Sequence, residues 1–92
     1  IVDTAGSLCN AAEALRDIGG AKAIYACASH GVLSGNATQR VEDSCIEELM
    51  LLNTIPMPMD YTGKKIRQLD ASPTFAKAIT RIYNETSISS LF

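Results

Sequence analysis

The chain has no tryptophan, few other aromatic residues and no long apolar run. Tyrosine and phenylalanine together make up 5% of its 92 residues. A helix that crosses a bilayer needs about 20 consecutive apolar residues. The sequence shows no such run and no signal peptide at its start. We therefore expect a cytoplasmic protein that does not contact a membrane.

A large excess of either charge is also missing. Eight lysines and arginines against ten aspartates and glutamates give a formal net charge of −2, so nucleic acid is not an expected partner. The one basic cluster, residues 64–67 (KKIR), fits a solvated strand edge better than a binding patch. The acidic residues Glu42, Asp43, Glu47 and Glu48 fit a solvated face better than a cation site.

The three cysteines indicate neither a disulfide framework nor a zinc site. Their number is odd, and no two of them have C-x-x-C spacing. Each lies in an apolar context, so we expect reduced thiols buried in the core. No set of metal ligands is predicted in the chain.

Apolar periodicity predicts alternating helices and strands. A helical stripe begins at Leu8 and ends before Gly19-Gly20. A nearly continuous apolar run over residues 21–28 fits a strand buried on both faces. The last helix is the clearest, with Ser72 as N-cap and Pro73 in its first turn. Its expected apolar face consists of Phe75, Ala76, Ile79, Ile82 and Tyr83.

The remaining segments complete an α/β pattern within one domain. In chain order they are a loop over 29–35, a short helix capped by Ser34 or Asn36 and ending at 42–44, a strand of apolar residues at 45–46 and 49–52 with an acidic turn at Glu47-Glu48, a loop from Pro56 to about Gly63, and a strand at 66–69. This alternation predicts an α/β fold with a mostly parallel sheet flanked by helices.

The first residues carry the strongest functional pattern. Ile1-Val2 fits the end of a strand, and residues 3–7 (DTAGS) fit a tight loop that leads into the first helix. A helix N-terminus offers free backbone N–H groups to an anion. Gly6 lets the backbone approach a ligand, and the hydroxyls of Thr4 and Ser7 can donate to phosphate oxygens. A plain turn capped by Ser7 would explain the same residues.

Several segments together resemble one family. Residues 2–9 (VDTAGSLC) resemble the ribose-5-phosphate loop of ribose-phosphate pyrophosphokinases, also called phosphoribosyl pyrophosphate synthetases. Residues 28–37 (ASHGVLSGNA) are similar to that family's A-T-H-G-x-x-S-G-x-A segment. Residues 53–56 (NTIP), 65–69 (KIRQL) and 84–92 (NETSISSLF) are similar to further segments of the family, in the same order.

The resemblance implies a phosphoribosyltransferase type I fold, of which residues 1–92 would be the C-terminal part of the C-terminal domain. The family transfers a pyrophosphoryl group from ATP to ribose 5-phosphate, giving phosphoribosyl pyrophosphate and AMP, with Mg²⁺ as cofactor. Its members form dimers that build into hexamers. Its ATP-binding residues, catalytic loop and catalytic histidine lie upstream of this stretch. We therefore expect no catalytic residue, no Mg²⁺ ligand and no activity from these 92 residues alone, and a packing role for His30.

The resemblance also implies two sets of binding residues. Asp3, Thr4, Ala5, Gly6 and Ser7 would hold the phosphate end of ribose 5-phosphate. A carboxylate repels phosphate, so Asp3 is expected to shape the loop or to contact ribose or water.

The second set lies near the end of the chain. Ser87 and Ser89 match serines that contact the phosphate of allosteric ligands, with inorganic phosphate as activator and ADP as inhibitor. A frayed, serine-rich terminus anchored by Leu91 and Phe92 is the alternative.

A non-catalytic, synthetase-associated regulatory protein of the same fold is the alternative function. Such proteins replace the small residues of the loop with acidic or bulkier ones. Here the loop departs from the usual pattern only at Ser7, which replaces threonine and keeps the hydroxyl. The loop therefore favours the enzyme. A third possibility is another phosphoribosyltransferase that uses the same loop, but residues 29–35 and the C-terminal tail argue against it.

Overall fold

The computed structural model describes residues 1–91, so Phe92 of the terminal segment lies outside the described residues. The elements are α1 (Gly6–Asp17), β1 (Ile24–Ala28), α2 (Ala37–Asp43), β2 (Ile46–Leu52), β3 (Ile66–Leu69), α3 (Ser72–Tyr83) and a 3₁₀ turn (Ser89–Leu91). The three strands form one parallel sheet in the order β1-β2-β3. The α/β prediction with a parallel sheet is confirmed.

The core lies between the sheet and the pair of helices α1 and α2. Leu49 and Leu51 of the central strand β2 are fully buried, together with Val41 of α2. These side chains pack with Val2 and Leu33, which come from the two loops that flank α1 and β1. The core therefore fixes the N-terminal segment against the sheet.

The opposite face of the sheet is open in the described chain. Exposure alternates along β1, so that Tyr25 is 70% exposed and Cys27 is also exposed. The prediction of a strand buried on both faces was wrong, because helices cover only one face here. The prediction of buried thiols fails at Cys27, whereas Cys9 and Cys45 are partly buried.

The predicted acidic turn within the second strand was also wrong. Glu47 and Glu48 lie inside β2, whose seven residues run without interruption from Ile46. The register with β1 shifts at this point, since Ile24 pairs with Ile46 and Tyr25 with Glu48, which leaves Glu47 without a partner in β1. An extra residue of this kind interrupts the alternation of faces, so Ile46 and Leu49 on either side of the pair are both buried while Glu47 stays exposed.

Helix α3 lies where the sequence predicts it, but it does not have the predicted burial. Ala78 is its one buried residue, whereas Phe75, Ile79 and Ile82 are 52–68% exposed. The radius of gyration, 16.2 Å, exceeds the value of about 12 Å typical of a compact domain of this length. The apolar face of α3 is thus present but has no covering element among the described residues.

The caps of the two long helices differ from the predictions. Ser7 lies inside α1, whose N-cap is Ala5, and Ser72 is the first residue of α3 rather than its cap. The Asp70 carboxylate instead accepts the Ser72 N–H at 2.9 Å. The interpretation of residues 3–7 as a turn capped by Ser7 is therefore wrong.

Candidate functional site

The N-terminal loop lies at the carboxyl-terminal edge of the sheet. Val2 forms a parallel bridge with Gly31, in which the Val2 N–H donates to His30 O and the Val32 N–H donates to Val2 O. The loop after Val2 and the loop after β1 therefore lie side by side. Ligands of open α/β sheets bind at this edge.

The backbone of the loop presents unpaired N–H groups. Ala5 has a left-handed conformation, with φ at 64°, and is the N-cap of α1 without any side-chain cap. Among the described residues, no acceptor pairs with the N–H groups of residues 4–8. The next N–H along the chain, that of Cys9, donates to Ala5 O at 3.0 Å. Successive free N–H groups at a helix N-terminus suit an anion.

A cleft of about 510 Å³ lies over this loop. Residues 1–8 line it together with Cys27 and Ala28 of β1. Thr4 and Ser7 are exposed, and Gly6 is partly exposed. The five residues predicted to hold the sugar phosphate thus line one cleft.

Asp3 braces the loop against the next one. Its carboxylate accepts a hydrogen bond from the Ser34 hydroxyl, and its carbonyl oxygen accepts the Ser34 N–H at 3.0 Å. Asp3 thus connects the N-terminal loop to the loop that follows β1.

Arg40 of α2 also touches the loop. Its Nη1 donates to Thr4 O at 3.1 Å, and a Cβ placed at Gly6 would lie 3.3 Å from the same nitrogen. The contact joins residues 36 positions apart, so no local pattern could have revealed it.

His30 has a structural contact, as expected. Its Nδ1 lies 2.7 Å from Thr54 Oγ1, and the Thr54 hydroxyl lies 3.2 Å from Ser29 O, to which it donates. The Thr54 hydroxyl thus lies within hydrogen-bond distance of both the His30 ring and the Ser29 carbonyl. This pair joins the loops that follow β1 and β2.

The C-terminal serines lie together with an arginine of α3. Ser87 Oγ and Ser89 Oγ are 2.9 Å apart. Arg81 Nη1 donates to Ser87 O at 3.1 Å and to Ser90 Oγ at 2.6 Å. Three hydroxyls and one guanidinium therefore form a second polar cluster, in which Arg81 was not predicted.

The acidic residues Glu42, Asp43, Glu47 and Glu48 do not form one site. Glu42 is partly buried and accepts hydrogen bonds from the Tyr61 hydroxyl and from the N–H groups of Lys64 and Lys65.

Across residues 1–91 there is no group of three or more His, Cys, Asp or Glu residues that could hold a metal ion. The helices within the same range are too short or too polar to cross a membrane.

The sequence and the fold were compared with known proteins. The model of the family described as "Phosphoribosyl synthetase-associated domain" matches residues 1–92. Ribose-phosphate pyrophosphokinases of Clostridium perfringens and Listeria ivanovii are 50% and 48% identical over the whole chain. A crystal structure of phosphoribosylpyrophosphate synthetase from Mycobacterium smegmatis matches 91% of the chain with a TM-score of 0.86 and 32% identity.

The chain spans only 28–29% of the length of these two relatives and 28% of the synthetase chain. The coverage does not bear out the expected position at the C-terminal end of such an enzyme. The likeness extends over sequence and fold together, and it agrees with the fold that the resemblance implied. The chain belongs to the phosphoribosyl synthetase-associated domain family.

Proposed function

We propose that this chain is the sugar-phosphate-binding part of a ribose-phosphate pyrophosphokinase, and that residues 3–7 bind the 5-phosphate of ribose 5-phosphate. The observation that carries the proposal is the run of free N–H groups at residues 4–8 beneath an open cleft. Each N–H can donate to a phosphate oxygen, and the dipole of α1 favours the negative charge. The hydroxyls of Thr4 and Ser7 add two donors.

The whole enzyme would transfer pyrophosphate from ATP to the anomeric hydroxyl of the sugar, and this chain would position the acceptor. Holding the 5-phosphate fixes the far end of the sugar, so that the anomeric hydroxyl meets ATP in one orientation. The Mg²⁺ that the resemblance implies would be held by residues outside this stretch, since the acidic side chains described here do not form a cation site. ATP would likewise bind elsewhere in the enzyme.

A synthetase-associated regulatory protein is the second candidate, because the chain belongs to the phosphoribosyl synthetase-associated domain family. The loop argues for the enzyme. Ala5 is buried at 5% exposure with a left-handed φ, and the space behind Gly6 is limited by Arg40. Bulky or acidic residues at these positions would disrupt the loop, and this chain keeps small ones.

The tail cluster is proposed as an allosteric anion site. Ser87 and Ser89 would turn their hydroxyls from each other to the phosphate of an activator or of ADP, and Arg81 lies next to them to balance charge. Two hydroxyls and a guanidinium are suitable phosphate donors.

Homo-oligomeric assembly, from dimers to hexamers, is proposed for the whole enzyme. The apolar side chains of Phe75, Ile79 and Ile82 and the open face of β1 are surfaces that soluble proteins usually cover. Other parts of the enzyme or other subunits would cover them.

A titration of the ¹⁵N-labelled chain tests the sugar-phosphate site. Ribose 5-phosphate and inorganic phosphate should shift the amide resonances of residues 4–8, whereas ribose without phosphate should not. Ser7→Glu should abolish these shifts by placing a carboxylate beside the anion. Ser7→Gln, of equal size and neutral, should keep most of them. An acidic residue in the first helical turn is favourable to the helix, so a loss of binding would not reflect unfolding.

Two results would count against the proposal. One is a folded chain whose loop resonances do not respond to ribose 5-phosphate. The other is equal binding by the Ser7→Glu and Ser7→Gln variants, which would place the anion elsewhere.

A further inference from the structure

Arg40 contacts the phosphate loop from the side opposite to the proposed ligand. The cleft over the loop is lined by residues 1–8 and by β1, without Arg40. Arg40 instead lines a separate cleft of about 750 Å³ between α1 and α2, together with Asn36 and Gln39 of its own segment. Gly6 borders both clefts. The guanidinium therefore lies behind the loop.

The contact of Arg40 with Thr4 O determines the direction of one peptide group. The Thr4–Ala5 peptide is trans, as are all peptides of the described chain. The carbonyl oxygen and the N–H of a trans peptide point in opposite directions. While Thr4 O is held by Arg40, the Ala5 N–H points away from Arg40. A flipped peptide would replace this donor with a carbonyl oxygen, which repels an anion.

The backbone conformation of Ala5 explains why the loop needs the hydrogen bond from Arg40. Ala5 has φ at 64°, and the left-handed conformation is unfavourable for a residue that carries a Cβ. Glycine would adopt it freely, but the chain has alanine here. An external hydrogen bond can hold the less favourable conformation in place.

We propose that Arg40 is a positioning residue for the phosphate loop: it holds the Thr4 carbonyl on the rear side, and thereby keeps the Ala5 N–H on the ligand side. This inference rests on the proposed function of residues 3–7. Arg40 itself does not contact the phosphate. Its α2 backbone is fixed to the core by Ala37 and Val41, both fully buried, so the guanidinium is carried by a rigid element.

The test compares Arg40→Met and Arg40→Lys with Arg67→Met. Arg67 is an exposed arginine of β3 that pairs with Glu48 outside the site, and it serves as the matched control for losing one positive charge. Arg40→Met should reduce the affinity for ribose 5-phosphate about fivefold, the factor that corresponds to one ordinary hydrogen bond. Arg40→Lys should recover part of this loss, and Arg67→Met should change nothing.

A second readout needs no ligand. The three-bond HN–Hα coupling of Ala5 reports its left-handed φ. Arg40→Met should shift this coupling, whereas Arg67→Met should not. If Arg40→Met does not fold, Arg40→Gln takes its place, because glutamine also removes the charge but retains a polar side chain.

The two readouts separate the inference from the proposed function. If the unchanged chain binds neither ribose 5-phosphate nor phosphate, the proposed function fails, and the Ala5 coupling alone decides the role of Arg40. If Arg40→Met weakens binding without changing the coupling, Arg40 acts only through its charge and the inference is wrong. Unchanged coupling together with unchanged affinity would overturn it as well.

Discussion

Replacing Glu42 with glutamine should release the loop between β2 and β3. The Glu42 carboxylate accepts the Lys64 N–H at 2.7 Å on one oxygen, and the Lys65 N–H at 3.1 Å and the Tyr61 hydroxyl at 3.2 Å on the other. Glutamine has one acceptor oxygen and one NH₂ group, which cannot accept from an N–H. In either orientation of the amide, one backbone N–H loses its partner.

The size of the effect follows from these contacts. A hydrogen bond to a charged acceptor contributes about 1.5–3 kcal/mol, and Glu42 is only half-buried, so Glu42→Gln should cost about 1.5 kcal/mol of unfolding free energy. Glu42→Ala removes all three acceptor contacts and should cost about 3 kcal/mol. Glu47→Gln, on the exposed side of β2, should cost less than about 0.5 kcal/mol.

Urea denaturation followed by circular dichroism measures these differences. Amide exchange at Lys64 and Lys65 gives the local readout, and it should accelerate in Glu42→Gln but not in Glu47→Gln. Equal stability of the two glutamine variants, with unchanged exchange at both lysines, would refute the assignment of Glu42 as the anchor of this loop.

The contact between Glu42 and Tyr61 also makes the stability of the fold depend on pH. Burial raises the pKa of Tyr61 above its usual value of about 10, and the neighbouring Glu42 carboxylate raises it further against the opposing effect of the Ile66 N–H. The folded state therefore holds the phenolic proton more tightly than the unfolded state does. The resulting stability is complete below about pH 10 and is lost as the pH rises through the folded pKa. Tyr61→Phe should flatten this alkaline loss in pH-dependent urea denaturation, and an unchanged slope would contradict it.

Three further predictions concern the core and the start of α3. Leu49→Ala should lower the free energy of unfolding by about 2–5 kcal/mol in urea denaturation, because Leu49 is fully buried. Leu69→Ala should lower it far less, because Leu69 is 52% exposed. Similar losses in the two variants would contradict the described core. Gly31→Ala should cost about 1–3 kcal/mol because its Cβ would collide with Leu51, and Leu51→Val should relieve part of that cost in the double variant. Hydrogen bonds from the Ser72 hydroxyl, the Ser72 N–H and the Asn53 side chain lower the pKa of Asp70. The stability that the Asp70 carboxylate provides is therefore present above about pH 3.8 and is lost as the pH falls through the folded pKa. Asp70→Asn should weaken this loss of stability in acid, which is measured as helicity against pH.

Elements with a strong local pattern were predicted well. The strand at 66–69 has the predicted bounds, and α3 covers the predicted apolar residues up to Tyr83 but starts at Ser72, one residue before the predicted first helical residue Pro73. The first helix was predicted from Leu8, and it begins two residues earlier. Helix ends are less certain from sequence because the first turn needs no apolar residue.

Burial was predicted less well because it depends on what else packs against each element. The apolar stripes of α1 and α3 are present in the sequence, yet Ile18 is 87% exposed and Tyr83 is 86% exposed. A period of 3.6 residues shows that a helix has an apolar face, and it does not show whether a partner covers that face. The same holds for Tyr25 and Cys27 on the open side of β1.

The sequence by itself determined the order of helices and strands, the parallel α/β class and the small residues of the loop at 3–7, because these depend on neighbouring residues. Only the tertiary structure decided the left-handed φ of Ala5, the pairing of Asp3 with Ser34 and the contact of Arg40 with Thr4. These pairs lie 31 and 36 positions apart. They meet because the strands are parallel, so that successive loops lie at one edge of the sheet. No local sequence pattern encodes a contact between residues so far apart in the chain.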